Sequence, residues 1–157
     1  MKKPSKFIYF LVAFSFFTLL NFYFSNLISY KLAHGWQFSS SLIKLIYVEN
    51  TGAAFSLMQN STNFLIILSI IALLMIFYFA IKNLENLYFK GFLFLSILTS
   101  GILGNLVERL LFGHVRDFFE LTFINFPIFN ISDVFINIGV FGIIILILLA
   151  KKPIRFL

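Results

Sequence analysis

The sequence contains no cysteine, which excludes disulfides, thiolate metal sites and a thiol nucleophile. Its two histidines, His34 and His114, are too few for an imidazole-rich metal centre, so any chemistry must come from oxygens and amines, and neither a metal nor a cofactor is expected. Charge is also scarce. Only 11% of the 157 residues are charged, against about a quarter in an ordinary soluble domain. Apolar residues make up 61% of the chain, Phe alone supplies 24, and the mean hydropathy is +1.00. That is more apolar surface than one core of this size can hide from water, so lipid must solvate much of the chain. The net charge of +6 would suit a nucleic-acid binder if it were gathered, but the 12 basic residues are scattered rather than forming one patch, and no nucleic-acid partner is expected.

A bilayer core takes about 20 apolar residues per helix, and the charge-free intervals supply four such spans. The first lies near 7–27, between Lys6 and Lys31. The interval from Glu49 to Lys82 is too long for one span, and the polar run Gln59-Asn60-Ser61-Thr62-Asn63 divides it, leaving a helix over about 64–81. Two more spans cover about 88–107 and 134–150. Lys2, Lys3 and Lys6 ahead of an apolar run resemble a signal peptide, but no A-x-A-like cleavage site follows, which predicts an uncleaved first helix. In residues 28–63, the stretch Leu42-Ile43-Lys44-Leu45-Ile46-Tyr47-Val48 alternates behind Gly35 and Trp36 and predicts a small strand-bearing element on the bilayer surface. The expectation is an all-α polytopic membrane protein forming one membrane-embedded domain over residues 1–157.

Lys and Arg are retained on the cytoplasmic side. Eight of them (Lys2, Lys3, Lys6, Lys82, Lys90, Lys151, Lys152, Arg155) fall at one end of these spans and four (Lys31, Lys44, Arg109, Arg116) at the other. This predicts cytoplasmic termini, with residues 28–63 and 108–133 outside. Of the acidic residues, Glu49, Glu108, Asp117, Glu120 and Asp133 fall on the outer side and Glu85 on the inner. Acidic residues hardly affect insertion, so that clustering marks chemistry rather than topology.

Asp133 opens the fourth helix, and Asp117 is placed in the loop after the third. Pro127 lies between them, and a loop folding back there can bring the two carboxylates together. Such a pair shares a proton, one member acting as base towards water and the other as acid towards a carbonyl oxygen. Alternatively, Asp133 caps its helix and Asp117 is a solvated loop residue. A zinc H-E-x-x-H motif and a G-x-S motif with a partnered His are absent. A Ser–Lys dyad would have to be assembled from Ser39, Ser40 or Ser41 with Lys44. A non-catalytic transporter or assembly subunit, with outward carboxylates binding cations or protons, is the competing class.

Taken in order, Glu49-Asn50-Thr51-Gly52-Ala53-Ala54-Phe55-Ser56, Gly104-Asn105-Leu106-Val107-Glu108-Arg109, Val115-Arg116-Asp117-Phe118 and Phe129-Asn130-Ile131-Ser132-Asp133 resemble the successive motifs of the bacterial lipoprotein signal peptidase family, signal peptidase II. The resemblance implies an aspartic endopeptidase of the bacterial inner membrane. Such an enzyme removes the signal peptide of a prolipoprotein just before a cysteine bearing diacylglycerol, so its partners would be that lipidated substrate and membrane lipid, and it would act as a monomer. It implies that Asp117 and Asp133 are the catalytic pair. Asn50 and Gly52 would face the substrate, Asn105 and Arg109 would hold the substrate backbone or the aspartate loop, and Asn130 would orient Asp133. This sequence departs from the family pattern in that Glu108 stands for the usual Asp and Ser132 for a small apolar residue, commonly Ala. On the first helix, the family's Asp and the Lys four residues later fall on Asn21 and Ser25.

Overall fold

The computed structural model describes residues 3–52 and 61–149. Its elements, in chain order, are α1 (Lys3–Ala33), β1 (Phe38–Ser39), β2 (Ile43–Asn50), α2 (Thr62–Lys82), α3 (Phe89–Phe112), β3 (Val115–Leu121) and α4 (Ile131–Leu149). All four helices are long and apolar enough to cross a membrane. The motif residues Ala53–Ser56, the polar residues Gln59 and Asn60, and the basic residues Lys2, Lys151, Lys152 and Arg155 lie outside the described residues.

The third helix is the hub. In its most apolar window 61% of the residues are buried, against 11–17% in the other three helices, and it packs against all of them. Its composition explains this, because Ser96, Thr99, Ser100, Gly101 and Gly104 let neighbouring backbones approach closely where lipid offers no hydrophobic drive. A Cβ added at Gly101 would lie 2.9 Å from the Ile136 nitrogen of α4, and one at Gly139 of α4 would lie 2.6 Å from the Leu98 Cβ. Thus α3 and α4 meet through small residues on both sides. Ser96 Oγ donates towards the Phe10 and Phe92 carbonyls (3.0 and 2.8 Å), joining α3 to α1. At that end Phe10, Ala80, Phe92 and Leu95 form an apolar core, and the Lys6 ammonium donates to the Leu87 carbonyl at 2.9 Å.

At the opposite end the strands form one antiparallel sheet of order β1-β2-β3, with Val48 opposite Asp117 and Asn50 opposite Val115. The expected strand-bearing element between helices 1 and 2 is present, but it is not confined to that connection. Its third strand comes from the chain between α3 and α4, so Asp117 lies in a strand, not in a loop. Val115-Arg116-Asp117-Phe118-Phe119-Glu120-Leu121 is rich in the aromatic and β-branched residues that strands favour, but an isolated seven-residue segment does not reveal that β2 is available to pair with it.

The third helix is also longer than expected. A scan for uncharged residues stops at Glu108, whereas α3 continues through Glu108 and Arg109 to Phe112 because both side chains find partners. It ends at Gly113, whose φ of 78° and N–H bond to the Arg109 carbonyl (3.0 Å) close the last turn. Likewise α1 runs past Lys31, whose ammonium lies over the Trp36 ring, 5.0 Å from its centre.

Candidate active site

Asp117 reaches the interior through strand pairing. The return of the following loop is pinned by a bridge between Phe119 and Phe129, with the Phe119 N–H donating to the Phe129 carbonyl at 2.9 Å and the Phe129 N–H donating back at 3.2 Å. This bridge sets Asn130, the next residue, beside Asp117. The start of α4 is then closed by a reciprocal cap. Asn130 Oδ1 accepts the Asp133 N–H at 2.9 Å, and Asp133 Oδ2 accepts the Asn130 N–H at 3.2 Å, the pattern of a capping box. The capping alternative for Asp133 is therefore part of the geometry, but Asn130 is the cap and Asp133 its partner three residues on.

Three asparagine amides clamp the two carboxylates. Asp117 accepts from Asn50 Nδ2 on Oδ2 (2.9 Å) and from Asn130 Nδ2 on Oδ1 (2.7 Å). Asp133 Oδ1 accepts from Asn105 Nδ2 at 2.9 Å, and Asn105 Oδ1 accepts from Asn130 Nδ2 at 3.2 Å. The partners are neutral donors, which orient each carboxylate without the full compensation an ion pair would give. Asp117 is 2% exposed. Burial pushes its pKa up to about 6, the charges of Asp133 and Glu108 add to the rise, and the bonds from Asn50 and Asn130 oppose it.

Arg109 lies one helical turn after Asn105 and is also buried. Its guanidinium donates to the Gly52 carbonyl at 2.9 Å and to the Asn105 carbonyl at 3.3 Å, while Nε has no hydrogen-bond partner. Asn50 Oδ1 accepts the Gly52 N–H at 2.9 Å, so the 50–52 segment is tied both to Asp117 and to α3. All seven residues singled out from the sequence, Asn50, Gly52, Asn105, Arg109, Asp117, Asn130 and Asp133, are brought together here.

The site opens into a cavity of about 730 Å³. Its polar end consists of Asn50, Asn105, Arg109, Asp117, Asn130 and Asp133, and its walls of Phe126, Pro127, Ile128, Ile136 and Phe141. A second cavity of about 570 Å³ lies towards the sheet and shares Asn50, Asp117 and the Phe126–Ile128 wall, with Glu49, Glu120 and Asn125 on its far side. Paired carboxylates where an apolar chamber meets a polar one can move protons to and from a peptide bond placed between them.

Arg116 is a neighbour that the sequence did not single out. It binds Glu108 through two guanidinium bonds (2.7 and 3.2 Å), and its own backbone N–H donates to Glu108 Oε2 at 2.7 Å. It also donates to Asn26 Oδ1 of α1 at 3.0 Å. This ion pair is largely buried and fixes the start of β3, one residue before Asp117. Opposite charges on either side of the Gly113 turn were the available signal. Of the Ser–Lys alternative, Lys44 pairs with Glu120 at 3.4 Å, and Ser40 Oγ is engaged within the β1–β2 turn, accepting the Ile43 N–H at 3.1 Å and donating to the Ile43 carbonyl at 3.0 Å.

Four spanning-length helices around a small-residue hub, with a carboxylate pair at one end facing an apolar cavity, define a polytopic membrane protein with a site embedded at the end of its bundle. The family model described as Signal peptidase (SPase) II matches residues 9–149, and the chain belongs to that family of proteases. It is 39% identical over 120 residues to a lipoprotein signal peptidase of Caldicellulosiruptor bescii, covering 71% of this chain and 77% of that one. It is 40% identical over 114 residues to one of Latilactobacillus sakei, covering 71% and 74%. Two solved structures, described as a bacterial membrane enzyme determined by the in meso method at 2.3 and 1.9 Å, superpose with a TM-score of 0.76 each. They are 28% and 30% identical and cover 93% and 91% of this chain and 94% of each of theirs.

Proposed function

We propose that this protein is an intramembrane aspartic endopeptidase that cleaves the signal peptide from diacylglyceryl-modified prolipoproteins just before the lipidated cysteine, with Asp117 and Asp133 as its catalytic pair. The observation that carries the reading is that Asn130 bonds to both carboxylates at once. In this reading the two carboxylates so joined share one proton at the edge of an apolar cavity. One carboxylate takes a proton from the attacking water while the other delivers the shared proton to the carbonyl oxygen. Collapse of the tetrahedral adduct then breaks the C–N bond: the proton taken from water passes to the leaving amine nitrogen, and one hydroxyl of the adduct returns its proton to the other carboxylate, leaving the new carboxylic acid and restoring the pair.

Asn50, Gly52, Asn105, Arg109 and Asn130 are the substrate-binding residues in this reading. The apolar cavity receives the signal helix and the acyl chains, and the cavity beside the sheet receives the chain beyond the cysteine. The sheet draws strands from both connections expected outside, while Lys6 meets the 82–90 turn at the other end of the bundle. With the eight-to-four split of basic residues, this supports cytoplasmic termini and a site on the outer, periplasmic face. In this reading the enzyme acts as a monomer.

The test is cleavage of a lipidated prolipoprotein by the purified protein in detergent or lipid, with mass analysis of the product. Cleavage before the lipidated cysteine, lost in Asp117→Asn and in Asp133→Asn, is the expected result. Near-normal turnover in either variant overturns the mechanism.

A further inference from the structure

A second buried polar cluster lies where α1, α3 and α4 meet. Asn21 is 1% exposed, and its Nδ2 donates to Ser132 Oγ at 3.0 Å and to the Ser100 carbonyl of α3 at 3.3 Å. Its Oδ1 accepts from Ser25 Oγ at 3.4 Å and from Ser132 Oγ at 3.2 Å. The Ser132 hydroxyl therefore meets both ends of one amide. Gly104 makes room for this contact, since a Cβ there would collide with Ser132 Oγ and Asn21 Nδ2. An amide in the lipid-embedded part of a bundle has no water to fall back on, so its partners are held to a narrow geometry.

The cluster adjoins the carboxylate site on two elements. Ser132 precedes Asp133, and Gly104 precedes Asn105, which donates to Asp133 Oδ1. We propose that Asn21 and Ser132 form a positioning lock, in which Asn21, anchored to the α3 backbone at Ser100, holds the first turn of α4 through Ser132 and so sets where the Asp133 carboxylate stands relative to Asn105 and Asp117. Neither residue touches the cavity. Both act through Asp133, and a displacement of about 1 Å at a reacting group is enough to cost on the order of a hundredfold in rate. The effect on catalysis rests on the aspartic reading above.

The test compares Asn21→Ala, Ser132→Ala, the double variant and Asn21→Asp. Ser69→Ala, which removes a hydroxyl bonded to the Leu65 carbonyl of its own helix, serves as control. Two quantities are measured: kcat and KM on a lipidated prolipoprotein, and the infrared carboxyl bands of Asp133 across an acid titration, assigned by their loss in Asp133→Asn. Each alanine variant is expected to lower kcat roughly ten- to hundredfold, with KM within about threefold and the Asp133 bands shifted. The double variant should be no worse than the poorer single one, because the two residues act as a unit. Asn21→Asp, which in its neutral form keeps the shape with one donor and one acceptor, should recover most of the rate. Unchanged kcat and bands in Asn21→Ala, or single effects that multiply in the double variant, would overturn the lock. If the natural chain does not cleave, the aspartic reading fails by itself and the bands decide the lock. Shifts in both alanine variants but not in Ser69→Ala support it, and their absence overturns it. Should Asn21→Ala fail to fold, Ser132→Ala and Asn21→Asp carry the same comparison.

Discussion

Asn130 Nδ2 stands 2.7 Å from Asp117 Oδ1, and that bond joins a helix cap to a strand thirteen residues earlier in the chain. The same side chain caps α4 by accepting the Asp133 N–H. The device that starts the fourth helix is thus also the one that pairs the carboxylates.

Replacing either aspartate by asparagine preserves size and removes a carboxyl group that the proposed reaction uses to take or hold a proton. Cleavage should fall at least about a thousandfold in each variant, with the helix content of the folded protein retained by circular dichroism. Asp117→Asn also turns one acceptor into a donor facing either Asn50 or Asn130, an unmatched group worth about 1–3 kcal/mol. A chelator of divalent metals should leave the natural rate unchanged.

Stability should depend on pH through Asp117. Its folded pKa of about 6 lies above the ordinary 3.8, so the folded state holds this proton more tightly than the unfolded chain does. The contribution is fully present below about pH 4, is lost as pH rises through 6 and is flat beyond, amounting to about 3 kcal/mol. Thermal unfolding in detergent from pH 4 to 8 should show this decline, and Asp117→Asn should make it shallower. A natural protein whose stability rose over that range would contradict the burial argument.

Two ion pairs near the site should differ sharply in worth. Glu108→Gln strands the largely buried Arg116 and should cost about 3 kcal/mol or more. Glu108→Asp keeps the charge on a shorter arm and should cost less. The Lys44–Glu120 pair is exposed, so Glu120→Gln should cost less than about 1 kcal/mol and leave most activity intact. Chemical or thermal unfolding of the three variants ranks them directly.

Topology can be read by labelling single cysteines introduced into this cysteine-free chain. A thiol at position 124, in the exposed loop after β3, should react with an impermeant reagent added to intact cells. One at position 86, in the turn between α2 and α3, should react only after permeabilisation. Labelling of position 86 from outside would invert the orientation.

The spanning helices were legible in the sequence because a lipid solvent imposes a length and an absence of charge that composition alone records. The order of the short motifs, from Asn50 to Asp133, pointed to the family for a similar reason: each motif is local. What the sequence left open was everything that depends on one segment meeting another. Val115–Leu121 became a strand only because β2 was there to pair with it, and α3 continued through Glu108 only because Arg116 returned to neutralise it. Ser132 and the Asn21–Ser25 pair read as separate departures from the family pattern, yet packing makes the three one hydrogen-bonded cluster, with Gly104 leaving the space. Residue types and spacings set which groups are present along each helix. Tertiary packing in a medium without water decided which of them must satisfy one another, since a polar group there has only its neighbours to bond.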